Sequence, residues 1–125
     1  MSEAESKPVV RRAGDVEYEA VDLADGLHKG VLLGDEQHTP SFNMRRFVLD
    51  PGASVPPHTN KVEHEQYVVE GKYVVGIGTE TYTVSPGDSL LIPAGVEHWY
   101  RNDNEERGSF LCLVPKSPDE IVVTE

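Results

Sequence analysis

Short runs rich in Val, Ile, Leu, Tyr and Phe recur from about residue 16 onward, and each ends in a cluster of Gly, Pro, Asp or Asn. Period-two patterning with turn residues between runs is the signature of β-strands. The pattern predicts strands over residues 16–21, 29–33, 42–49, 54–58, 64–70, 73–77, 79–84, 89–92, 97–101 and 109–114, with a last short one at 121–124. The stretch Glu80-Thr-Tyr-Thr-Val alternates as a half-buried strand should, and Asp50-Pro-Gly, Ser85-Pro-Gly-Asp and Pro93-Ala-Gly punctuate the runs. No segment offers twelve residues of helical period with caps at both ends. Many short strands at close spacing imply an all-β fold, an antiparallel sandwich or barrel. No repeat or linker divides the chain, so residues 15–125 are expected to form one domain. Residues 1–14 are polar and read as a flexible arm, or as an edge strand ordered by a partner.

Composition narrows the chemistry. At 125 residues the chain suits a single core, which at this size can fold without disulfide staples. A net charge of −11 argues against nucleic acid and against anionic membrane surfaces, both of which call for clustered Lys and Arg. The lone cysteine, Cys112, excludes an intramolecular disulfide and fits a reducing compartment. The first residues lack the apolar core of a secretory signal, and no apolar run reaches the length of a membrane span. The expected location is therefore cytoplasmic. Gly-rich phosphate loops, a G-x-S-x-G elbow, HExxH and paired zinc-type cysteines are all missing, which removes nucleotide-dependent and serine-hydrolase chemistry.

Three of the five histidines, His58, His64 and His98, lie in or beside predicted strands. Imidazole is the commonest metal-binding side chain, and three of them suit Mn, Fe, Ni, Cu or Zn. Spacing alone leaves a metal site and unrelated histidines equally open, because Pro56-Pro57 and Thr59-Asn60-Lys61 are expected to bend the chain between His58 and His64. Gln66 and Tyr100 lie two residues beyond His64 and His98, so each should share its histidine's face. Phe110 and Cys112 alternate on the last long strand and should also face inward, Cys112 as a small buried hydrophobe. His28, His38, Glu63 and Glu65 are expected in solvent, and Trp99 on the outside.

The surroundings of these histidines resemble a known family. Gly87, Pro93, Gly95, His98 and Asn102 match the second cupin motif, G-x5-P-x-G-x2-H-x3-N, at every fixed position. Gly52, His58 and Gly71 match the first motif, G-x5-H-x-H-x3,4-E-x6-G, while Asn60 stands at its second histidine and His64 at its glutamate. The stretch Glu63-His64-Glu65 with Tyr67-Val-Val-Glu-Gly71, and the likeness from about Asn43 to Lys116, is similar to small one-domain cupins that bind manganese or related metals through histidines alone.

The resemblance implies a small antiparallel double-stranded β-helix, the jelly-roll barrel, with one divalent transition metal inside. Mn or Fe leads, with Zn, Ni or Cu as alternatives. His58, His64 and His98 are the expected ligands. Asn60 is a weak neutral ligand at best, so a three-histidine site with open positions is expected, similar to that of thiol dioxygenases. Gln66 and Tyr100 are the expected substrate-orienting residues. The leading expectation is a metal-dependent, dioxygenase-like enzyme acting on a small, anionic or chelating organic molecule. The alternatives are a redox-neutral isomerase or lyase on a sugar-like acid, and a non-catalytic ligand- or metal-binding module. Cupins of this size commonly pair through an edge strand, so a homodimer is expected.

Overall fold

The computed structural model describes residues 6–124. Its strands are β1 (Tyr18–Ala20), β2 (Leu27–Leu33), β3 (Phe42–Leu49), β4 (Ser54–Asn60), β5 (His64–Glu70), β6 (Tyr73–Ile77), β7 (Glu80–Val84), β8 (Ser89–Ile92), β9 (His98–Arg101), β10 (Gly108–Pro115) and β11 (Ile121–Val123). Two single 3-10 turns, Ala13–Asp15 and Asp35–Gln37, are the only helical elements among the described residues. None is long and apolar enough to cross a membrane.

The strands form two antiparallel sheets. One has the order β1-β2-β3-β10-β5-β8 and the other β11-β4-β9-β6-β7. Beside the consecutive pairs β1-β2-β3 and β6-β7, neighbours such as β3-β10, β10-β5 and β4-β9 are distant in sequence, as in a jelly roll, whose two sheets bury one side each and leave the other wet. Strand β5 shows the principle: His64, Gln66 and Val68 are buried, whereas Glu65, Tyr67 and Val69 alternate outward. Along β9, His98 and Tyr100 likewise point in. The expected inward placement of Phe110 and Cys112 on β10 also holds, both being buried.

Register shifts interrupt three pairings; beside one between Val31 and Leu33 in β2, two change the inward-facing set. In β10 the pairing with β5 shifts between Ser109 and Phe110, so adjacent residues are both buried. In β4 the register against β9 shifts between Val55 and His58, where Pro56 and Pro57 cannot donate to the ladder. The expectation that these prolines and Thr59-Asn60-Lys61 divide the chain between strands is corrected here. Strand β4 continues to Asn60, and the proline bulge absorbs the irregularity, turning Val55, His58 and Asn60 all inward.

The core proper lies toward one end of the barrel, where Leu49, Val55, Val68, Tyr73 and Val75 pack with Phe110. Asn102, fully buried, ties this end together. Its side-chain amide donates to the carbonyls of Leu49 at 3.0 Å, Asp50 at 3.3 Å and Glu106 at 3.0 Å. Gly71 closes the β5–β6 turn with φ of +75°, where a Cβ would overlap the carbonyl oxygen of Arg107. Preceding β1, Arg11 donates to the carbonyls of Val31 at 2.9 Å and Leu32 at 3.0 Å, laying this segment on β2.

Candidate functional site

The other end of the barrel holds polar side chains that the two sheets point at each other. His58 on β4 and His98 on β9 are direct cross-strand partners, and their ring centroids stand 4.2 Å apart. His64 enters from β5 on the opposite sheet, 5.9 Å from the His98 ring. All three are buried. The structure therefore brings together the three histidines that the sequence singles out.

Hydrogen bonding fixes two of the tautomers. Nδ1 of His58 lies 2.8 Å from the carbonyl oxygen of Pro56, and Nδ1 of His98 lies 2.9 Å from that of Val96. A carbonyl can only accept, so each Nδ1 carries the proton and each neutral ring keeps a free Nε2 lone pair. Nδ1 of His64 faces the Cys112 sulfur at 3.5 Å, and its Nε2 is buried without a hydrogen-bond partner. Burial disfavours the imidazolium form throughout. It lowers the His58 pKa and brings those of His64 and His98 down to about 4. For His64 the Arg45 guanidinium adds to the effect.

Gln66 and Tyr100, the expected orienting pair, meet across the two sheets: the Gln66 amide nitrogen donates to the Tyr100 hydroxyl oxygen at 2.7 Å. Burial holds the Tyr100 phenol strongly protonated. Its own O–H is thus free to donate further, and Oε1 of Gln66 has no partner. The Tyr100 ring stacks on Phe110 at 5.2 Å, which stacks in turn on Phe47 at 5.5 Å, giving the cavity a flat aromatic wall. Among the site's residues the cavity itself, about 100 Å³, is bounded by the three histidines, Gln66 and Tyr100.

Asn60 sits at the same end, but its amide nitrogen is engaged by the Asp119 carboxylate at 3.0 Å, leaving Oδ1 buried and unpaired. Asp119, which sequence reasoning missed, lies between β10 and β11. Its other oxygen accepts from the backbone N–H of Lys61 at 2.7 Å, and it stands 3.9 Å from Nε2 of His64. Burial pushes its carboxyl up, but the N–H groups of Lys61 and Glu120 and the Asn60 amide outweigh that and hold it below the ordinary carboxylate range. Neither motif contains Asp119; the asparagine at position 60 was the one indirect signal. Among the histidines expected in solvent, His28 is half-exposed and pairs with Asp50 at 2.9 Å. His38 adopts a left-handed backbone conformation with φ of 57°.

The donor set fits a borderline transition-metal ion. Neutral imidazoles with free Nε2 atoms, an orphaned buried His64 Nε2 and an unpaired Asn60 oxygen are the groups such an ion would satisfy. The carbonyl contacts that orient His58 and His98 are the outer support that ligating histidines usually have. As the side chains stand, however, no three His, Cys, Asp or Glu groups among the described residues close into a coordination shell.

Comparison with known proteins agrees with this architecture. A family model described as Cupin domain (Cupin_2) matches residues 45–114. Germin-like protein subfamily T member 3 of Arabidopsis thaliana is 30% identical over 93 residues, which cover 69% of this chain and 41% of that protein. The chain thus spans about two fifths of the length of that curated relative. Polyketide synthase CurC of Streptomyces cyaneus is 30% identical over 73 residues, 57% of this chain and 47% of that one. Among solved structures, the polyketide cyclase RemF from Streptomyces resistomycificus superposes with a TM-score of 0.87 at 26% identity, over 95% of this chain and 87% of that chain.

Proposed function

This chain belongs to the cupin family, and on that footing we propose that it is a redox-neutral enzyme acting on a small, enolisable carbonyl compound of the polyketide type. The observation that carries the reading is the cluster of buried neutral imidazoles set beside an aromatic wall and a free phenolic O–H. The likeness to the polyketide cyclase RemF supports ring closure, which consumes no oxidant, over the dioxygenase-like chemistry that leads the sequence-based expectation, and the likeness to the polyketide synthase CurC supports the substrate type.

His58, His64 and His98 would hold a divalent metal, with Asn60 as a supporting group. Such an ion would polarise a substrate carbonyl and stabilise the developing enolate charge. The chain's own residues bind and orient the substrate, whose α-proton, acidic between two carbonyls, passes to solvent. Tyr100, kept protonated by burial, donates its O–H to a second substrate oxygen. Gln66 fixes the Tyr100 oxygen, so that this donor stays aimed. Phe47, Phe110 and the Tyr100 ring offer a flat apolar face for a conjugated ring and keep water off it. Asp119 holds the Asn60 amide and stays an anion near neutrality; its lowered pKa makes it a poor proton acceptor there.

The test has two parts. Elemental analysis of the native protein, His58→Ala and His98→Ala should find a near-stoichiometric divalent metal in the first and its loss from both variants. A linear poly-β-ketone should then be converted to a product lighter by one water, without dioxygen uptake. Dioxygen consumption in step with turnover would replace this reading with the dioxygenase one. Tight ligand binding without conversion would leave a binding module.

A further inference from the structure

One pair of residues bounding the cavity has no place in the chemistry above. Lys29 on β2 and Arg45 on β3 both project from the inner face of the six-stranded sheet into the cavity that holds the histidines. The register explains how. Arg45 pairs with Cys112, which pairs with Gln66, so the three form one inward row across β3, β10 and β5. Lys29 lies opposite Phe47, two positions from Arg45 along β3, which makes the two cations diagonal neighbours on one face.

Inward-pointing cations beside a buried site normally come with carboxylates. Here neither makes a salt bridge among the described residues. Arg45 donates from one terminal nitrogen to the Cys112 sulfur at 3.3 Å, and its guanidinium carbon lies 5.2 Å from the Phe47 ring centroid. Its Nε is buried with no partner at all. Lys29 has its pKa lowered, first by burial and then by Arg45, while Glu19 acts against this. The acidic groups of the neighbourhood stand elsewhere. Asp119 borders the same cavity, but its oxygens are taken by the Asn60 amide and the Lys61 N–H, and it makes no salt bridge with either cation. Asp15, Glu17, Glu19, Asp35 and Glu36 border the adjoining outer cleft, which Lys29 and Arg45 also reach.

We propose that Arg45 and Lys29 form the recognition point for a carboxylate on the ligand, so that the substrate is an aromatic or conjugated carboxylic acid. The acid group would sit on the six-stranded sheet, with the rest of the molecule along the Phe47–Phe110–Tyr100 wall. The planar guanidinium fork, with an unused N–H, matches the two oxygens of a carboxylate, and Lys29 supplies a second, point-like charge. Burying the ligand's anion here supplies the partner that the two cations lack. The inference rests on this cavity being the ligand site of the function proposed above and names the substrate class.

Benzoate and its neutral analogue benzamide are the probes, titrated calorimetrically into the native protein, Arg45→Met, Arg45→Lys and Lys29→Met. Metal content and melting temperature are measured on each. The native protein should bind benzoate at least tenfold more tightly than benzamide. Arg45→Met should weaken benzoate by roughly tenfold or more, the loss expected for one charge-assisted contact, and leave benzamide affinity and metal content unchanged. Lys29→Met should weaken it less, and Arg45→Lys, which keeps the charge and the fold but not the fork, should fall between native and Arg45→Met. Native-like benzoate affinity in Arg45→Met, equal binding of benzamide, or no benzoate binding by the native protein at millimolar concentration would overturn the inference. Benzoate affinity that survives Arg45→Met and vanishes in His98→Ala would overturn it too, leaving the metal-site reading intact. Arg45-dependent benzoate binding by a protein that takes up no metal would support it while removing that reading.

Discussion

Acidifying the protein in the presence of a chelator from pH 7 to pH 5 should cost it about 4 kcal/mol of stability through His64 and His98, with His58, whose pKa burial also lowers, adding a loss of the same sign. The His64 and His98 imidazoles fall from an ordinary pKa of 6.5 to about 4 in the folded chain, chiefly because burial penalises their charged forms. Between those values the unfolded chain binds protons that the folded chain refuses, so stability declines as pH falls through the window and is untouched above it. The full shift corresponds to roughly 3 kcal/mol per imidazole, complete below pH 4, of which about 2 kcal/mol is already lost at pH 5. Carboxylates act in a lower window. Burial pushes Glu70 up, but Arg107 and Ser109 hold it below 4.5, and Asp119 lies below 3.8, so their contributions are lost only in stronger acid. Against a total stability of about 5–15 kcal/mol, a 4 kcal/mol loss is large, and for a domain of this size it lowers the melting temperature by roughly 15 °C. Urea unfolding at pH 7, 6 and 5 measures it directly. The single variants His64→Gln and His98→Gln should each remove about half of that 4 kcal/mol. A native protein equally stable at pH 7 and 5, or variants as acid-sensitive as the native chain, would show that desolvation of these rings is not what governs their titration.

Asn102→Ala should destabilise the protein by about 3 kcal/mol, since three backbone carbonyls around a fully buried amide lose their donor; a loss below about 1 kcal/mol in urea unfolding would mean that water replaces the amide freely. Gly71→Ala should cost more than Gly87→Ala in the same assay. Both glycines have positive φ, which charges any side chain about 1–2 kcal/mol, but only at Gly71 would the Cβ also overlap backbone, lying 2.8 Å from Gly108 Cα, whereas nothing lies within 4 Å at Gly87. Equal costs would refute the close approach of the β5–β6 turn to Arg107.

Much of this architecture was legible because it is local. The bounds of β3, β5, β6 and β8 follow from runs of apolar and β-branched residues between turn clusters, and the inward faces of β5 and β9 follow from parity. The placing of His64 with Gln66, and of His98 with Tyr100, needs no more than that. What escaped depends on how strands are paired. The bulge at Pro56-Pro57 is a compromise between two residues that cannot join the ladder and flanking residues that gain from it. The sequence pattern ends this strand at His58 and expects a bend beyond it, whereas the ladder runs on to Asn60 and sets His58 opposite His98. The partnership of Asp119 with Asn60 comes from the pairing of β11 with β4, across more than fifty residues of chain. Lys29 and Arg45 were invisible for the same reason. Each lies among mixed polar and apolar neighbours, where a cation reads as solvated, and only the β2–β3–β10 register turns both into the barrel.

The two sheets contribute different chemistry to one cavity, and this difference fixes how a ligand can lie there. The five-stranded sheet presents His58, His98 and Tyr100, two lone-pair donors and a phenol. The six-stranded sheet presents His64, Gln66 and the cationic pair, together with the Phe47 and Phe110 rings. The Gln66–Tyr100 hydrogen bond is the point where the sheets are joined through the site. A molecule carrying a carboxylate at one end and a carbonyl at the other can satisfy both walls only in one direction, with its acid on Arg45 and Lys29 and its carbonyl toward the histidines. A divalent ion held by neutral histidines would have only Asp119 nearby as a compensating anion, so it would raise the positive potential that an acidic ligand meets. The carboxylate and the ion should accordingly favour each other's binding, by an equal factor in each direction. On the proposal above, that mutual dependence would account for the two cations that a chain of net charge −11 turns toward its cavity without a salt bridge. Outside, the acidic surface repels anions in general; inside, only an anion shaped to span both walls meets the charge it needs.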